Sequence, residues 1–262
     1  MCYDVLEGDE DNYMKVDLTD KESVKKIDLN VDYFFFFTGL TGTYVGFDKY
    51  NQYCQINEMT LLNLLDEIRL SPYRPKIVFP SSRLVYKGQD KALCEDDEKE
   101  AKTIYAANKI ACEYYLQAYN KSFDIPYTIF RICVPFGNLI GDDYSFGTIG
   151  FFIKAAKTGR IKLYGNGTVK RTFTEIGDLC AQIYKASLLE ESNCQTYNIG
   201  GVTYSLFEAA SIVAQYYGAQ VEGVAWPEKD LRIESGSTFF DSTKIEQLIG
   251  HIEYKNIERI LD

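Results

Sequence analysis

The sequence predicts an α/β protein built on a doubly wound parallel sheet. Short apolar runs alternate along the chain with longer segments whose apolar residues recur at helical spacing. This alternation is typical of parallel strands joined by right-handed crossover helices. With 262 residues, of which 46% are apolar, the chain can form one large domain, with or without a small annex. In such a sheet, ligands bind beyond the carboxyl ends of the strands.

The first half of the chain supplies two strands and a helix of this pattern. Asp32 to Phe37 has a core of five aromatic residues and is closed by Thr38-Gly39, which predicts a strand followed by a turn. Asn57 to Arg69 contains leucines and an isoleucine at helical spacing and predicts an amphipathic helix. Lys76 to Phe79 is a second short strand, and it runs into the pair Ser81-Ser82.

A charged loop at Glu95 to Glu100 is followed by a long helix and another strand. The helix is predicted from about Thr103 to Asn120, and the strand covers Tyr127 to Cys133. The pattern loosens at residues 137–150, and an amphipathic helix is predicted near Phe151 to Lys157. Strands and helices therefore alternate regularly in the first half of the chain and less regularly in the second.

Two regions with different tasks are expected. Residues 1–136 would form part of a dinucleotide-binding domain, and residues 137–262 would form mainly a smaller substrate-binding lobe. Residues 171–200 are the exception, because a helix after Ile176 and a strand from Thr196 to Ile199 are predicted to return to the main sheet.

Charge and cysteine content exclude several classes of partner. The net charge of −10 and the pI near 4.8 oppose binding to nucleic acid or to an anionic membrane surface. The seven cysteines are widely spread, lack Cys-x-x-Cys spacing and are accompanied by one histidine, which predicts reduced thiols in a cytoplasmic protein and no metal site. The longest apolar run, Tyr33 to Phe37, is too short to span a bilayer, and the acidic N-terminal segment does not resemble a signal peptide.

Ser82, Tyr105 and Lys109 form the candidate catalytic set. Tyr105 and Lys109 are four residues apart on the predicted long helix, so their side chains lie on one face, one turn apart. A phenol has a pKa near 10 and is a poor base at neutral pH, whereas a nearby ammonium favours the phenolate. Ser82 ends the preceding strand, where a hydroxyl can position a substrate oxygen. Tyr-x-x-x-Lys also occurs by chance, so the serine and the strand after the helix strengthen the assignment.

Four segments, in this order along the chain, resemble one family of enzymes. They are IVFPSSRLVYKG, YAANKIACEYYLQAYNKSFDIPYTIFRICVPFG, LYGNGTVKRTFTEIGDLC and YNIGGVTYSLFEAASIVA. The likeness extends from Val16 to Gly250 and is to extended short-chain dehydrogenases/reductases. Among these, it is closest in kind to the nucleotide-sugar epimerases and reductases of the NAD-dependent epimerase/dehydratase family.

The resemblance implies an enzyme that uses NAD or NADP to transfer hydride at a ring carbon of a nucleoside-diphosphate sugar. Tyr105 would exchange the proton, Lys109 would bind the nicotinamide ribose and lower the pKa of Tyr105, and Ser82 would hold the reacting oxygen. The other cofactor-binding positions would be Asp17, Leu18, Thr38, Gly39, Asn57 and Val134. The other substrate-binding positions would be Tyr164, Arg171 and Arg232. The two arginines could instead form surface salt bridges.

The glycine-rich start of the family is not found at the usual place. A complete member begins with a strand and a Gly-x-x-Gly-x-x-Gly turn that binds the pyrophosphate at a helix N-terminus. Val16 to Asp20 resembles the segment after the third strand of the family, so about fifty residues of the usual fold would be absent. Thr38 to Gly46 nearly spells the glycine turn, but only one crossover helix separates it from Ser82. We therefore expect a Rossmann-like sheet without its first β-α-β unit, in a truncated form of an active enzyme.

Two further departures bear on the reaction. Dehydratases of the family have Thr-Asp-Glu where this chain has Ser82-Arg83-Leu84. Because the acidic pair supplies the acid and base for water loss, dehydration is disfavoured. Val134 replaces an asparagine that is usual in the family, which leaves the identity of the sugar open.

The predicted function is that of a nucleotide-sugar 4-epimerase or 4-ketoreductase. Both reactions use the same Ser-Tyr-Lys set, so the sequence does not distinguish an epimerase from a reductase. It does not distinguish NAD from NADP either, because the ribose-selecting residue of the family would lie in the absent first β-α-β unit. The alternative is a cofactor-free or non-catalytic family member that acts as a binding or dimerisation protein. The helices at Asn57–Arg69 and Thr103–Asn120 resemble the pair through which family members associate, so a homodimer is expected, without nucleic acid or membrane as a partner.

Overall fold

The protein is described from a computed structural model that covers residues 1–137 and 147–261. Most of the loosely patterned stretch at residues 137–150 lies outside the described residues. The strands are β1 (Cys2–Asp4), β2 (Tyr13–Lys15), β3 (Tyr33–Phe35), β4 (Lys76–Ser82), β5 (Tyr127–Ile132), β6 (Val134–Phe136), β7 (Arg160–Tyr164), β8 (Lys170–Glu175), β9 (Gln195–Asn198), β10 (Val202–Ser205) and β11 (Gln220–Val224). The helices are α1 (Lys21–Val24), α2 (Val45–Asp48), α3 (Tyr50–Cys54), α4 (Thr60–Leu70), α5 (Ile104–Phe123), α6 (Gly147–Ala156), α7 (Ile176–Ser187), α8 (Leu206–Tyr217), α9 (Glu228–Ile233) and α10 (Thr243–Ile249).

These elements fall into two compact units, each made of discontinuous stretches of chain. Unit 1 contains Met1–Ser81, Thr103–Ile129 and Asn193–Gln195. Unit 2 contains Ser82–Lys102, Phe130–Ser192 and Thr196–Asp262. The functional division into residues 1–136 and 137–262 stays a prediction.

Parallel strands and crossover helices build unit 1. β1 and β2 form a parallel pair in which Cys2 lies opposite Tyr13. β3 and β4 are also parallel, with Tyr33 opposite Lys76, and their sheet has the order β3-β4-β5-β9. Helix α4 lies between β3 and β4 in the sequence, and α5 lies between β4 and β5. This arrangement confirms the predicted Rossmann-like α/β fold. The apolar pattern had no signal for β1, because its side chains are largely exposed.

The hydrophobic core of unit 1 joins these helices to the strands. Its members on α4, α5, β4 and β5 are Leu61, Leu64, Leu65, Ile68, Cys112, Leu116, Ile77, Phe79 and Ile129. All of them are at most 2% exposed. The leucine spacing that predicted a helix therefore corresponds to the buried face of α4.

Helix α5 extends one turn beyond its predicted end at Asn120. Its start is capped by Thr103, whose Oγ1 accepts a hydrogen bond from the Ala106 amide at 3.1 Å. Its end is set by Asp124, which has a φ of 56° in the left-handed region. No glycine or proline lies between Asn120 and Asp124 to end the helix earlier.

A π-helical turn at Gln55–Met59 joins α3 to α4. The predicted start of the helix, Asn57, lies inside this turn and is 3% exposed. A π-turn inserts an extra residue into the helical repeat, so it rotates the side chains before it relative to those after it. The hydrophobic spacing of α4 could not predict this, because it reports only the regular part of the helix.

Unit 2 contains two small sheets and the helices beside them. β8 is central in the order β10-β8-β6, antiparallel to β10 and parallel to β6. β7 and β11 form a separate parallel pair, with Ile161 opposite Val221. Helix α8 begins with a capping box between Ser205 and Glu208 and ends at Gly218, whose φ is 65°.

Cysteines and membrane-spanning features can be assessed over the described residues. All seven cysteines lie among them, and each is a free thiol. Neither a helix long and apolar enough to cross a membrane nor a cluster of metal-binding side chains occurs in residues 1–137 or 147–261.

The core of unit 1 generates a stability prediction. Leu65→Ala removes a fully buried side chain from α4 and leaves a cavity, so the free energy of unfolding should fall by about 2–5 kcal/mol. Leu70→Ala is the matched control on the same helix, because Leu70 is 66% exposed, and it should change stability by less than about 0.5 kcal/mol. Urea unfolding of both variants measures the difference. Equal effects would contradict the assignment of the buried face.

Candidate active site

Tyr105 and Lys109 lie one turn apart near the start of α5, in unit 1. The Lys109 Nζ atom is 5.8 Å from the centre of the Tyr105 ring and 4.5 Å from that of Phe79 on β4. It donates a hydrogen bond of 2.7 Å to the Pro80 carbonyl oxygen. The lysine is 6% exposed, whereas Tyr105 is half-buried. The structure thus places a buried ammonium beside a partly accessible phenol.

Burial lowers the pKa of Lys109 to about 8, against the opposing effects of Cys112 and Glu113. At neutral pH the side chain is therefore still mainly an ammonium. An ammonium has three N–H donors, and in the described part of the chain only the Pro80 oxygen accepts from one of them. The remaining donors can serve hydroxyl groups of a ligand.

A second contact fixes α5 to the end of β4. Glu113, one turn beyond Lys109, is 4% exposed and accepts a hydrogen bond of 2.5 Å from the Ser81 hydroxyl. Lys109 and Glu113 thus hold two successive residues, Pro80 and Ser81. Together these contacts fix how far the Lys109 side chain lies from the carboxyl end of β4 along the strand.

Ser82 is the last residue of β4 and the first residue of unit 2. It is 8% exposed, and its Oγ accepts a hydrogen bond of 3.2 Å from the Leu84 amide. In this position it caps a single 3₁₀ turn at Arg83–Val85. Because the oxygen is the acceptor here, the hydroxyl hydrogen can still be donated to a ligand oxygen.

The carboxyl ends of three strands of unit 1 open into one cavity of about 780 Å³. Asp4 ends β1 and Val5 follows it, Asp17 and Leu18 follow β2, and the segment from Phe37 to Leu40 follows β3. The complete lining is Tyr3, Asp4, Val5, Val16, Asp17, Leu18, Thr19, Phe37, Thr38, Gly39, Leu40, Asn51, Gln52, Gln55, Ile56 and Thr60. The structure thus brings together the predicted cofactor residues Asp17, Leu18, Thr38 and Gly39. Strand ends of parallel sheets are the usual place for a nucleotide.

The Asn57 side chain holds one segment of the cavity wall, at Leu40, through two hydrogen bonds. Its Oδ1 accepts from the Leu40 amide at 2.6 Å, and its Nδ2 donates to the Leu40 carbonyl at 3.2 Å. Both backbone groups of Leu40 are thereby satisfied by one side chain. The π-turn presents Asn57 to the loop, and the Asn57 carbonyl in turn accepts from the Cys112 thiol of α5 at 3.1 Å.

A polar network behind Asn57 connects the π-turn to α5. Asn108 Nδ2 donates a hydrogen bond to the Glu58 carboxylate, and its Oδ1 accepts one from Asn57 Nδ2 at 3.3 Å. The Tyr115 hydroxyl donates to the same carboxylate at 2.9 Å. Burial and Glu58 together raise the pKa of Tyr115 to about 12, so its hydroxyl remains a donor. The cavity loop and the helix of Tyr105 are therefore held by one set of contacts.

The predicted substrate residues lie in unit 2, where the two arginines have different partners. The Arg171 side chain is 3% exposed and pairs with Glu234 at 2.7 Å. The Arg232 side chain is 75% exposed and pairs with Glu228 one turn earlier on α9. Arg171 thus forms a buried ion pair, whereas Arg232 forms one at the surface.

Tyr164 and Val134 occupy an exposed and a buried position. Tyr164 ends β7, is 45% exposed, and its ring lies 5.1 Å from that of Trp226. Val134 begins β6, is 7% exposed, and lies opposite Phe173 of β8. Trp226, beside Tyr164, had no signal in the sequence beyond being the only tryptophan.

Several residues of these sites were missed by sequence reasoning. Asp4 and Val5 line the cavity, but β1 has no apolar pattern that would mark a strand end there. Gln52 lines it from α3. Glu234, the partner of Arg171, lies in a polar segment that resembles any exposed loop. Contacts between residues far apart in the chain had no local signal.

The fold and these positions define a Rossmann-like α/β protein with a Tyr-x-x-x-Lys helix. The sequence matches the profile of the NAD dependent epimerase/dehydratase family over residues 3–200. This chain belongs to that family.

Curated relatives of the chain include named sugar-nucleotide epimerases. The chain is 30% identical over 142 residues to dTDP-L-rhamnose 4-epimerase of Burkholderia thailandensis, a match over 52% of this chain and 39% of that protein. It is 28% identical over 198 residues to a putative UDP-glucose 4-epimerase of Methanocaldococcus jannaschii, a match over 74% of this chain and 63% of that protein. Less than two thirds of either relative is therefore matched.

Two solved structures share the fold. UDP-glucuronic acid 4-epimerase of Bacillus cereus, solved with UDP-glucuronic acid and NAD, superposes with a TM-score of 0.79 at 20% identity, over 95% of this chain and 78% of that one. Pal of Bacillus thuringiensis superposes with a TM-score of 0.84 at 18% identity, over 95% of this chain and 80% of that one.

The buried ammonium generates a pH prediction. Unfolded Lys109 keeps its proton up to its ordinary pKa of 10.5, whereas folded Lys109 releases it above about pH 8. The unfolded state binds more protons in this window, so Lys109 makes the folded state more stable as pH rises from 8 to 10.5. The stability difference between wild type and Lys109→Met should therefore shift in favour of wild type over that range.

Urea unfolding at pH 7 and at pH 9.5 measures this shift. Lys121→Met repeats the substitution at an exposed position of α5 and controls for the change of side chain. A wild-type to Lys109→Met difference that stays constant with pH would mean that folded Lys109 keeps its proton, contrary to the burial described above.

Proposed function

We propose that this protein is an NAD(P)-dependent nucleotide-sugar epimerase or 4-ketoreductase. The observation that best supports this is the cavity at three parallel strand ends in unit 1. The Tyr105 and Lys109 pair on α5 of the same unit adds groups suited to proton transfer. Family membership and the names of the matched relatives support the same class of reaction.

The residues present fit the nucleotide half of a dinucleotide. Leu18 and Val16 provide apolar surface for a flat base, and the carboxylates of Asp4 and Asp17 can accept hydrogen bonds from ribose hydroxyls or from the amino group of the base. Thr38, Gly39 and the loop held by Asn57 complete the wall. Bound NAD(P) would supply the carbon that accepts or returns a hydride.

Lys109 would bind at the other end of such a ligand. Its two remaining N–H donors suit the vicinal hydroxyls of a second ribose. The hydrogen bond to the Pro80 carbonyl holds the ammonium, and with it the positive charge, 5.8 Å from the centre of the Tyr105 ring. The buried side chain is thus preorganised as a donor.

Tyr105 would move the proton of the sugar hydroxyl. The Lys109 ammonium stabilises a phenolate electrostatically, and so brings the phenol closer to use as a base near neutral pH. In the reverse direction the neutral phenol returns its proton to the sugar oxygen. Ser82 would donate its hydroxyl hydrogen to the same oxygen and so stabilise the carbonyl form of the sugar.

Arg171 and Arg232 are proposed to contact the diphosphate of the sugar nucleotide, with Tyr164 and Val134 near the substrate and cofactor. Guanidinium groups suit phosphate because several N–H donors lie in one plane. Ser82-Arg83-Leu84 provides no acidic pair at that point of the chain, so we propose epimerisation or ketone reduction rather than dehydration.

A cytoplasmic homodimer is part of the proposal. Seven cysteines without a disulfide suit a reducing compartment. The exposed Tyr114 on α5 and Met59 beside α4 add apolar surface to the two helices that were predicted to associate.

A cofactor titration tests the first part of the proposal. NADH or NADPH fluorescence should change on addition of the 262-residue chain, and Asp17→Asn should weaken the binding, because it removes a carboxylate acceptor of the cavity. Asp48→Asn, on α2 and outside the cavity lining, is the control with the same loss of charge. If neither nucleotide binds at millimolar concentration to this chain or to a form extended upstream with a glycine-rich start, a cofactor-free binding or dimerisation protein is the better assignment; binding by the extended form alone would identify a truncated enzyme.

Tyr105→Phe tests the second part. The substitution keeps the ring and removes the proton-transferring hydroxyl, so turnover of UDP- and dTDP-hexoses should fall by about 10²–10⁴-fold while cofactor affinity is retained. Tyr114→Phe, at a 60% exposed position of the same helix, should leave turnover unchanged. Turnover is measured by exchange of hydride with NADH or by sugar analysis. Equal rates for wild type and Tyr105→Phe would exclude Tyr105 as the acid and base.

A further inference from the structure

The Arg171 guanidinium is already occupied by groups of unit 2. Its Nη2 donates to Glu234 Oε1 at 2.7 Å, and its Nη1 donates to the Gly236 carbonyl at 2.6 Å and to the Lys170 carbonyl at 2.9 Å. The arginine side chain is 3% exposed, and that of Glu234 is 21% exposed. A negative charge of the protein thus lies against the face where a phosphate would bind.

We propose that Glu234 is an internal counter-anion that blocks Arg171 and must leave before a substrate diphosphate can bind there. This rests on the proposed function, because it assumes that Arg171 binds the diphosphate. The exchange balances: one carboxylate oxygen leaves the guanidinium, and phosphate oxygens of greater total charge replace it.

The short loop that contains Glu234 is built for such an exchange. Among the described residues, the Ser235 hydroxyl is the buried side-chain polar group that has no hydrogen-bond partner. An unpaired buried hydroxyl is unfavourable, so a ligand oxygen that accepts from it would be stabilised. Gly236 has a φ of 81°, which permits a sharp turn directly after the serine.

Positive groups surround the same loop. Lys102 donates from its Nζ to the Glu234 carbonyl at 3.0 Å, and Arg83 donates to the Thr238 hydroxyl at 3.0 Å. Glu234 Oε1 also accepts from the Gly236 amide at 2.9 Å, so one carboxylate oxygen satisfies both an arginine and a backbone N–H. When the carboxylate leaves, both donors turn to the incoming anion.

A purely structural ion pair is the competing explanation, and the two differ in their ligand dependence. A structural pair would be needed for folding and indifferent to phosphate. A counter-anion competes with the ligand, so its removal must raise ligand affinity. Because the carboxylate is tethered next to Arg171, it competes at a high effective concentration, and the gain should be measurable.

Glu234→Gln is the test, because it keeps an oxygen acceptor for Arg171 and Gly236 and removes the charge. Calorimetric titration with UDP should give about tenfold tighter binding than wild type, and with UMP a similar gain, because both nucleotides must displace the same tethered carboxylate. Asp230→Asn, which removes one charge from α9 four residues earlier, should leave both affinities unchanged. Thermal unfolding gives a second readout: without ligand Glu234→Gln should melt below wild type, and UDP should raise its Tm by more.

The outcomes separate this inference from the proposed function. If Arg171→Lys weakens UDP binding but Glu234→Gln leaves it unchanged, Arg171 binds the diphosphate and the blocking role of Glu234 is wrong. If UDP binding is insensitive to both substitutions, the diphosphate role of Arg171 is wrong as well.

Discussion

The buried contact between Lys109 and the end of β4 is the constraint on which the candidate active site depends. A charged ammonium in the interior is costly unless its donors are matched, and here the Pro80 carbonyl matches one at 2.7 Å. Glu113 and Ser81 repeat the contact one residue further along the strand. Because α5 cannot slide along β4 without breaking both, the position of Tyr105 relative to the sheet of unit 1 is fixed.

The second constraint is the holding of the cavity loop by α4 and α5. Asn57 satisfies both backbone groups of Leu40, and Asn108 supports Asn57 from α5. A loop normally satisfies its backbone groups with water, whereas this one uses a buried side chain. Strand ends and the Tyr-Lys helix are therefore coupled through a π-turn, a feature often found at functional sites.

Unit 2 uses charge differently from unit 1. In unit 1 a cation is buried with few partners, which leaves donors for a ligand. In unit 2 the Arg171 cation is buried with the Glu234 carboxylate already in place, 2.7 Å away. Among the described contacts, the Lys109 ammonium therefore keeps N–H donors for a ligand, whereas the Arg171 guanidinium already donates to groups of the protein.

The sequence by itself determined the order β3, α4, β4, α5 and β5, the face of α4 that is buried, and the Tyr105 and Lys109 pair, because these follow from local periodicity and spacing. It also marked Asp17, Leu18, Thr38 and Gly39 through family resemblance. Only the tertiary structure decided that three strand ends share one cavity, that a π-turn aims Asn57 at Leu40, and that Arg171 faces Glu234. These depend on contacts between residues far apart in the chain, for which local pattern holds no information.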